Sequence, residues 1–269
     1  MFLLNRIDKM KNITDEMYSY IQSQLKKIEK ENNITLLYAI ESGTRGWGFS
    51  NEESDYDVRF IFKRPLDYYL SITKQKDTID YFDGDLDYVG WDVKKALYLH
   101  WKSNPNLREW IKQKIVYYGD CNFLNDLPSF NPDTLKHYYG SIANNNWKKF
   151  VIGKENEMTK KVTKMYIYAI RCIFSWILID EGIDAPIEID ELMKCFNNRL
   201  DTELLNNIEK IIEFYKNNCS SNQPDEKAIL NVSNFIDKQI KLMNNYNSNS
   251  HDLPNIEIYN ERFRKIIND

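Results

Sequence analysis

Between Glu41 and Phe62 the chain reads ESGTRGWGFSNEESDYDVRFIF. Asp55 and Asp57, spaced i,i+2 as the sequence enters an apolar run, are expected to project from one face of a strand with Tyr56 turned away. Two carboxylates at such an edge suit Mg²⁺ or Mn²⁺, hard cations that keep several waters and phosphate oxygens as ligands. Upstream, Gly43 and Thr44 open a glycine-rich turn. A missing Cβ there lets phosphate approach main chain, and a hydroxyl stands beside it. Divalent ions held by the two aspartates would neutralise a triphosphate, polarise its α-phosphorus and lower the pKa of an attacking hydroxyl. Metal-assisted nucleotidyl transfer needs this set of groups.

A third carboxylate is expected from a neighbouring strand. Asp85 and Asp87 are again i,i+2 on one face; Asp87 lies deeper in its run and is preferred, as metal ligand and as base for the incoming hydroxyl. Asp85, nearer a turn, is the alternative. Arg45 sits in the glycine turn, where it can reach phosphate or pair with Glu52 or Glu53. Arg59 shares the face of Asp57 and can pair with a catalytic carboxylate. Trp47 and Phe49 could stack on a base, though packing of the turn against the sheet is the plainer use.

The elements that must position these groups follow from periodicity. Thr14 is a candidate N-cap for a helix with Met17, Ile21, Leu25 and Ile28 on one face, ended by Asn32 and Asn33. Ile34 to Ile40 reads as a strand buried on both faces and Asp57 to Phe62 as the next. Thr78 to Phe82 and Asp85 to Val89 flank Asp83-Gly84, the signal for a type I′ hairpin. Trp91 to Trp101 reads as a helix stopped at Asn104-Pro105. From about Leu135 helical periodicity takes over, with helices from about Thr159 to Ile179, Thr202 to Asn217 and Ala228 to Met243, then a polar loop from Asn244 to Asp252 and a short terminal helix. The expected class is α+β: a small mixed sheet flanked by helices, residues 1–125, followed by a helical bundle, residues 126–269.

With 36 basic and 40 acidic residues the formal charge is −4, so a polyanion would need a local basic patch. Residues 147–171 offer one, with seven Lys or Arg against Glu155 and Glu157. Within it Lys164, Tyr168 and Arg171 fall at i, i+4 and i+7, a candidate polar stripe facing a triphosphate or RNA. Cys121, Cys172, Cys195 and Cys219 share no CxxC spacing and read as reduced structural thiols. His100, His137 and His251 share no ligand spacing. The first twelve residues lack a signal-like apolar core, and no run approaches membrane-spanning length. The expectation is a cytoplasmic protein with no membrane partner.

These residues resemble the DNA polymerase β-type nucleotidyltransferase superfamily, whose signature is a Gly-Ser pair, an Asp-x-Asp and one further acid. Within it the stretch is similar to the RNA-repair-pathway polymerase β family, with its pattern ESGSRAWGF…DSDYDVRF. The likeness continues through LDYVGWDVKKAL from Leu86, SNPNLREW from Ser103 and VYY from Val116, and more weakly through KMYIYAIR from Lys164 and Ala185-Pro186. It implies Gly43, Asp55, Asp57 and Asp87 as nucleotide and metal residues, an NTP as substrate, and an RNA end, such as that of a tRNA, as acceptor. A protein hydroxyl (AMPylation) or a small molecule as acceptor, a toxin–antitoxin partnership and a non-catalytic nucleotide or RNA sensor are the alternatives. Thr44 replaces the family's Ser and keeps the hydroxyl; Gly46 replaces its Ala, a change with no evident chemical consequence.

Overall fold

The apolar runs pair into one mixed five-stranded sheet, in the order Thr78–Asp83, Leu86–Asp92, Tyr56–Lys63, Thr35–Glu41, Val116–Gly119, in a computed structural model that describes residues 13–73, 75–154, 157–220, 222–246 and 252–269. The expectations for the first twelve residues, for Glu155, and for His251 with the preceding part of the polar loop fall outside those residues. The described chain divides into two units that are not consecutive in sequence. One comprises Met1–Gly46, Asp55–Phe130 and Asp252–Asp269, the other Trp47–Ser54 and Asn131–His251. The expected division at 125/126 therefore misses two exchanges: the terminal helix goes with the sheet, and the segment between the glycine turn and the aspartates goes with the helices.

In the sheet unit, α1 (Asp15–Glu31) starts at Thr14, whose side chain accepts the Met17 N–H. The strands are β1 (Thr35–Glu41), β2 (Tyr56–Lys63), β3 (Thr78–Asp83), β4 (Leu86–Asp92) and β5 (Val116–Gly119). β1 is antiparallel to β2 and to β5, β3 is antiparallel to β4, and β2 and β4 run parallel. Alternation sorts β2 cleanly. Val58, Phe60 and Phe62 join the core formed with Ile21, Leu25 and Ile28 of α1, while Ile61 joins the opposite core. Two short helices, α2 (Gly43–Gly46) and α3 (Leu66–Tyr69), follow β1 and β2 respectively.

The opposite face is covered by α4 (Val93–Trp101), α5 (Pro105–Ile111) and the carboxyl-terminal α11 (Ile256–Asn268). Leu97, Leu107 and Trp110 meet Tyr259 and Ile266 there. Asn104 and Pro105 do stop α4, but they also open α5: the Asn104 side chain accepts the Leu107 N–H, with Pro at the first turn. Trp91 belongs to β4 rather than to α4, which begins after its cap Asp92. The hairpin also turns one residue later than expected. Asp83 pairs with Leu86, so Gly84 and Asp85 are the loop. Only Gly84 has positive φ, the pattern of a II′ turn and not of I′.

The helical unit contains α6 (Pro132–Phe150), α7 (Lys160–Asp180), α8 (Ile189–Phe196), α9 (Thr202–Lys216) and α10 (Glu226–Asn244). α7 is, by length and composition, apolar enough to cross a membrane, which corrects the expectation that no run reaches that length. Most of it is buried, against α6, α8, α9 and α10. The four cysteines form no disulfide.

Candidate active site

β2 and β4 are paired so that Asp57 stands opposite Asp87. In parallel strands at matched register, both side chains leave the same face, about 5 Å apart across the ladder. Both carboxylates are 30% exposed. Asp55 lies just before β2 and is exposed, and its main-chain oxygen accepts the Arg45 Nε–H at 3.3 Å. Asp85, in the turn, is exposed as well, so Asp87 is the strand carboxylate beside Asp57.

Arg59 ties the pair together. Its Nη2 donates to Asp57 Oδ1 at 2.8 Å and to Asp87 Oδ2 at 2.9 Å, while Nη1 donates to the main-chain oxygen of Asp87 at 2.9 Å. Asp87 Oδ1 is buried and has no hydrogen-bond partner among the described residues. The glycine turn closes onto the same carboxylate pair. Gly43 has φ +58°, and a Cβ placed on it would lie 1.9 Å from Asp57 Oδ2. Only a residue without Cβ allows that approach. The Ser42 N–H donates to the main-chain oxygen of Asp57 at 2.8 Å, and the nearby Thr44 is buried.

Sequence reasoning passed over Glu41, the last residue of β1. It is fully buried; Oε1 accepts the Asp57 N–H at 3.0 Å and Oε2 the Tyr117 hydroxyl at 2.7 Å. Burial pushes its carboxyl up to about 7, against the lowering effect of the Tyr117 and Asp57 hydrogen bonds. An acid ending an otherwise apolar strand was the one available signal. Tyr117 could not be read as its partner, because β5 is too short to stand out as a strand.

The remaining candidates are placed differently from expectation. Arg45 is buried, with its guanidinium 4.0 Å from the Tyr56 ring, so it braces the entry to β2. Lys164, Tyr168 and Arg171 lie on α7 in the helical unit, with Lys164 Nζ 5.9 Å from the Tyr168 ring and Arg171 buried. Arg171 is 3% exposed and stacks on Trp47 at 4.0 Å, while the Tyr168 ring meets Trp47 and Phe49 edge-on at 5.1 and 5.9 Å. Trp47 and Phe49 thus pack against side chains of the helical unit. Within the basic stretch, Lys160 is paired with Glu53 at 2.6 Å.

A divalent cation was tested against this donor set. Among the described residues no group of three or more His, Cys, Asp or Glu is gathered as a metal centre. The carboxylate pair nonetheless fits Mg²⁺, which takes one or two carboxylates and completes its shell with phosphate and water. The Asp87 Oδ1 without a hydrogen-bond partner among the described residues agrees with that.

Two solved structures resemble the chain at low identity. A spectinomycin adenyltransferase from Enterococcus faecialis, solved with ATP and spectinomycin, is 14% identical with a TM-score of 0.46, covering 82% of this chain and 99% of its own. A nucleotidyltransferase-like protein from Exiguobacterium sibiricum is 11% identical with a TM-score of 0.31, covering 82% and 75%. An uncharacterized protein, YcgL, of Bacillus subtilis (strain 168) is 36% identical over 184 residues, 66% of this chain and 69% of the relative. The RNA repair pathway DNA polymerase beta family matches residues 17–265, nearly the whole chain including both units. The chain belongs to the RNA repair pathway DNA polymerase beta family, a family of nucleotidyltransferases.

Proposed function

We propose that the protein transfers a nucleoside monophosphate from an NTP to a hydroxyl, with release of pyrophosphate, and that the hydroxyl is at an RNA end. The reading rests on one relationship above all: Asp57 and Asp87, from separate strands, stand in register with Gly43 folded against the first. Family membership supports nucleotidyl transfer in general, and the family's RNA-repair description favours the RNA acceptor.

Asp55, Asp57 and Asp87 would hold Mg²⁺ or Mn²⁺, which when bound supplies neutralisation of the triphosphate and polarisation of the α-phosphorus. Gly43 and Thr44 give the triphosphate its approach to main chain. The acceptor oxygen forms its bond to the α-phosphorus as the bond to the β-phosphate bridge breaks, and the hydroxyl proton passes to Asp87. Glu41 holds the Asp57 backbone in place from within the core.

The test offers each α-labelled NTP, with Mg²⁺ or Mn²⁺, to total RNA and to total protein. Label that RNase removes and protease leaves supports the reading. Label that only protease removes replaces RNA with a protein hydroxyl as acceptor. No NTP consumed with either pool ends the enzymatic reading.

A further inference from the structure

We propose that Arg59 is the resident counter-ion of the carboxylate pair, and that it selects a nucleotide already carrying its cation over the free cation. The proposal deepens the metal-dependent reading above and rests on it. The guanidinium is fixed on four acceptors: Asp57 Oδ1, Asp87 Oδ2, and the main-chain oxygens of Asp87 at 2.9 Å and Val58 at 3.2 Å. Its side chain is 17% exposed. A fork held this way is a built part of the sheet face, unlike a mobile surface arginine.

One oxygen of each carboxylate is thereby taken, and the charge of the pair falls from −2 to −1 with Arg59 included. A free hydrated cation meets a half-neutralised pair and the repulsion of a guanidinium within a few ångströms. A cation arriving on a triphosphate brings phosphate ligands with it and needs fewer from the protein. Asp87 Oδ1, which has no hydrogen-bond partner among the described residues, remains for that complex. Arg59 is therefore a specificity-determining residue for the metal–nucleotide complex.

The experiment measures Mn²⁺ retained on the full chain by equilibrium dialysis, with and without a non-hydrolysable NTP analogue present at equal concentration on both sides, so that Mn²⁺ held by the analogue alone cancels. Wild type, Arg59→Gln and Arg59→Lys are compared. Wild type is expected to hold free Mn²⁺ weakly and to hold it at least about tenfold tighter with the analogue. Arg59→Gln, one positive charge poorer, is expected to bind free Mn²⁺ about tenfold tighter than wild type, while Arg59→Lys stays within about threefold of it. Arg59→Gln that unfolds cooperatively yet binds free Mn²⁺ no tighter overturns the proposal. So does wild type that binds Mn²⁺ as tightly without the analogue as with it, an outcome that needs no variant. Absence of Mn²⁺ retention even with the analogue removes the metal reading itself, and this proposal with it.

Discussion

The side chain of Glu41 accepts the main-chain N–H of Asp57 at 3.0 Å, linking the end of β1 to the residue that carries the strand carboxylate. Its second oxygen accepts from Tyr117 at 2.7 Å, so one buried acid satisfies a buried hydroxyl and a partly buried N–H. A buried donor left without a partner costs about 1–3 kcal/mol. Glu41→Ala is therefore expected to destabilise the protein by about 2–4 kcal/mol in denaturant unfolding, and Tyr117→Phe by about 1 kcal/mol. Glu41→Gln, which retains an acceptor, should cost less than the alanine change. An alanine variant within about 0.5 kcal/mol of wild type would show that the clamp is idle.

Gly43→Ala places a methyl on a residue with φ +58° and within 1.9 Å of Asp57 Oδ2. The backbone strain is of order 1 kcal/mol, which the fold can absorb. The carboxylate cannot stay where it is. Displacement of about 1 Å at a reacting centre costs up to about 10²-fold in rate, so label transfer is expected to fall at least tenfold while cooperative unfolding persists. Full activity in Gly43→Ala would separate the turn from the site.

Gly46 carries a second steric constraint. A Cβ there would lie 2.6 Å from Gln113 Nε2 and 2.7 Å from the main-chain oxygen of Glu41. The side-chain amide can swing aside; the strand carbonyl cannot. Gly46→Ala, which restores the residue of the family pattern, is expected to cost about 1–3 kcal/mol here, and adding Gln113→Ala should recover only part of that. The change that looked chemically silent in sequence is thus constrained by packing, and thermal unfolding of the two variants checks it.

His100 gives the fold a pH dependence. Its ring is buried against Phe130, Nδ1 lies 3.1 Å from the Tyr259 hydroxyl, and burial pulls its pKa down to about 4. The unfolded chain takes up the proton near pH 6.5, ahead of the folded one. Stability is therefore lost as pH falls from about 6.5 to about 4, by about 3 kcal/mol in total. Chemical denaturation at pH 7 and 4.5 should show wild type losing about 2 kcal/mol more than His100→Gln. Equal losses would place the imidazole in contact with water.

Much of the sheet unit was legible because its central strands are short β-favouring apolar runs, its hairpin strands alternate, and its helices carry side-chain caps. Thr14 and Thr159 mark helix starts through local hydrogen bonds that the sequence alone encodes. The mixed sheet with flanking helices, and the choice of Asp87 over Asp85 as the strand acid, follow from the same local logic. What was not legible is non-local. Tyr117 meets Glu41 across 76 positions of chain, and Arg171 is drawn into the core by Trp47, which no helical wheel contains. The terminal helix joins the sheet through Tyr259 and Ile266, residues whose apolar spacing says that they are buried but not against what.

The central claim is that the acids at the start of β2 carry nucleotidyl transfer. The most direct measurement is transfer of label from an α-labelled NTP by wild type and by Asp55→Asn with Asp57→Asn, in Mg²⁺ or Mn²⁺, on preparations with matched unfolding curves. Transfer by wild type and its loss by at least about 10³-fold in the double variant is the predicted result. Unchanged turnover in the double variant would contradict the account.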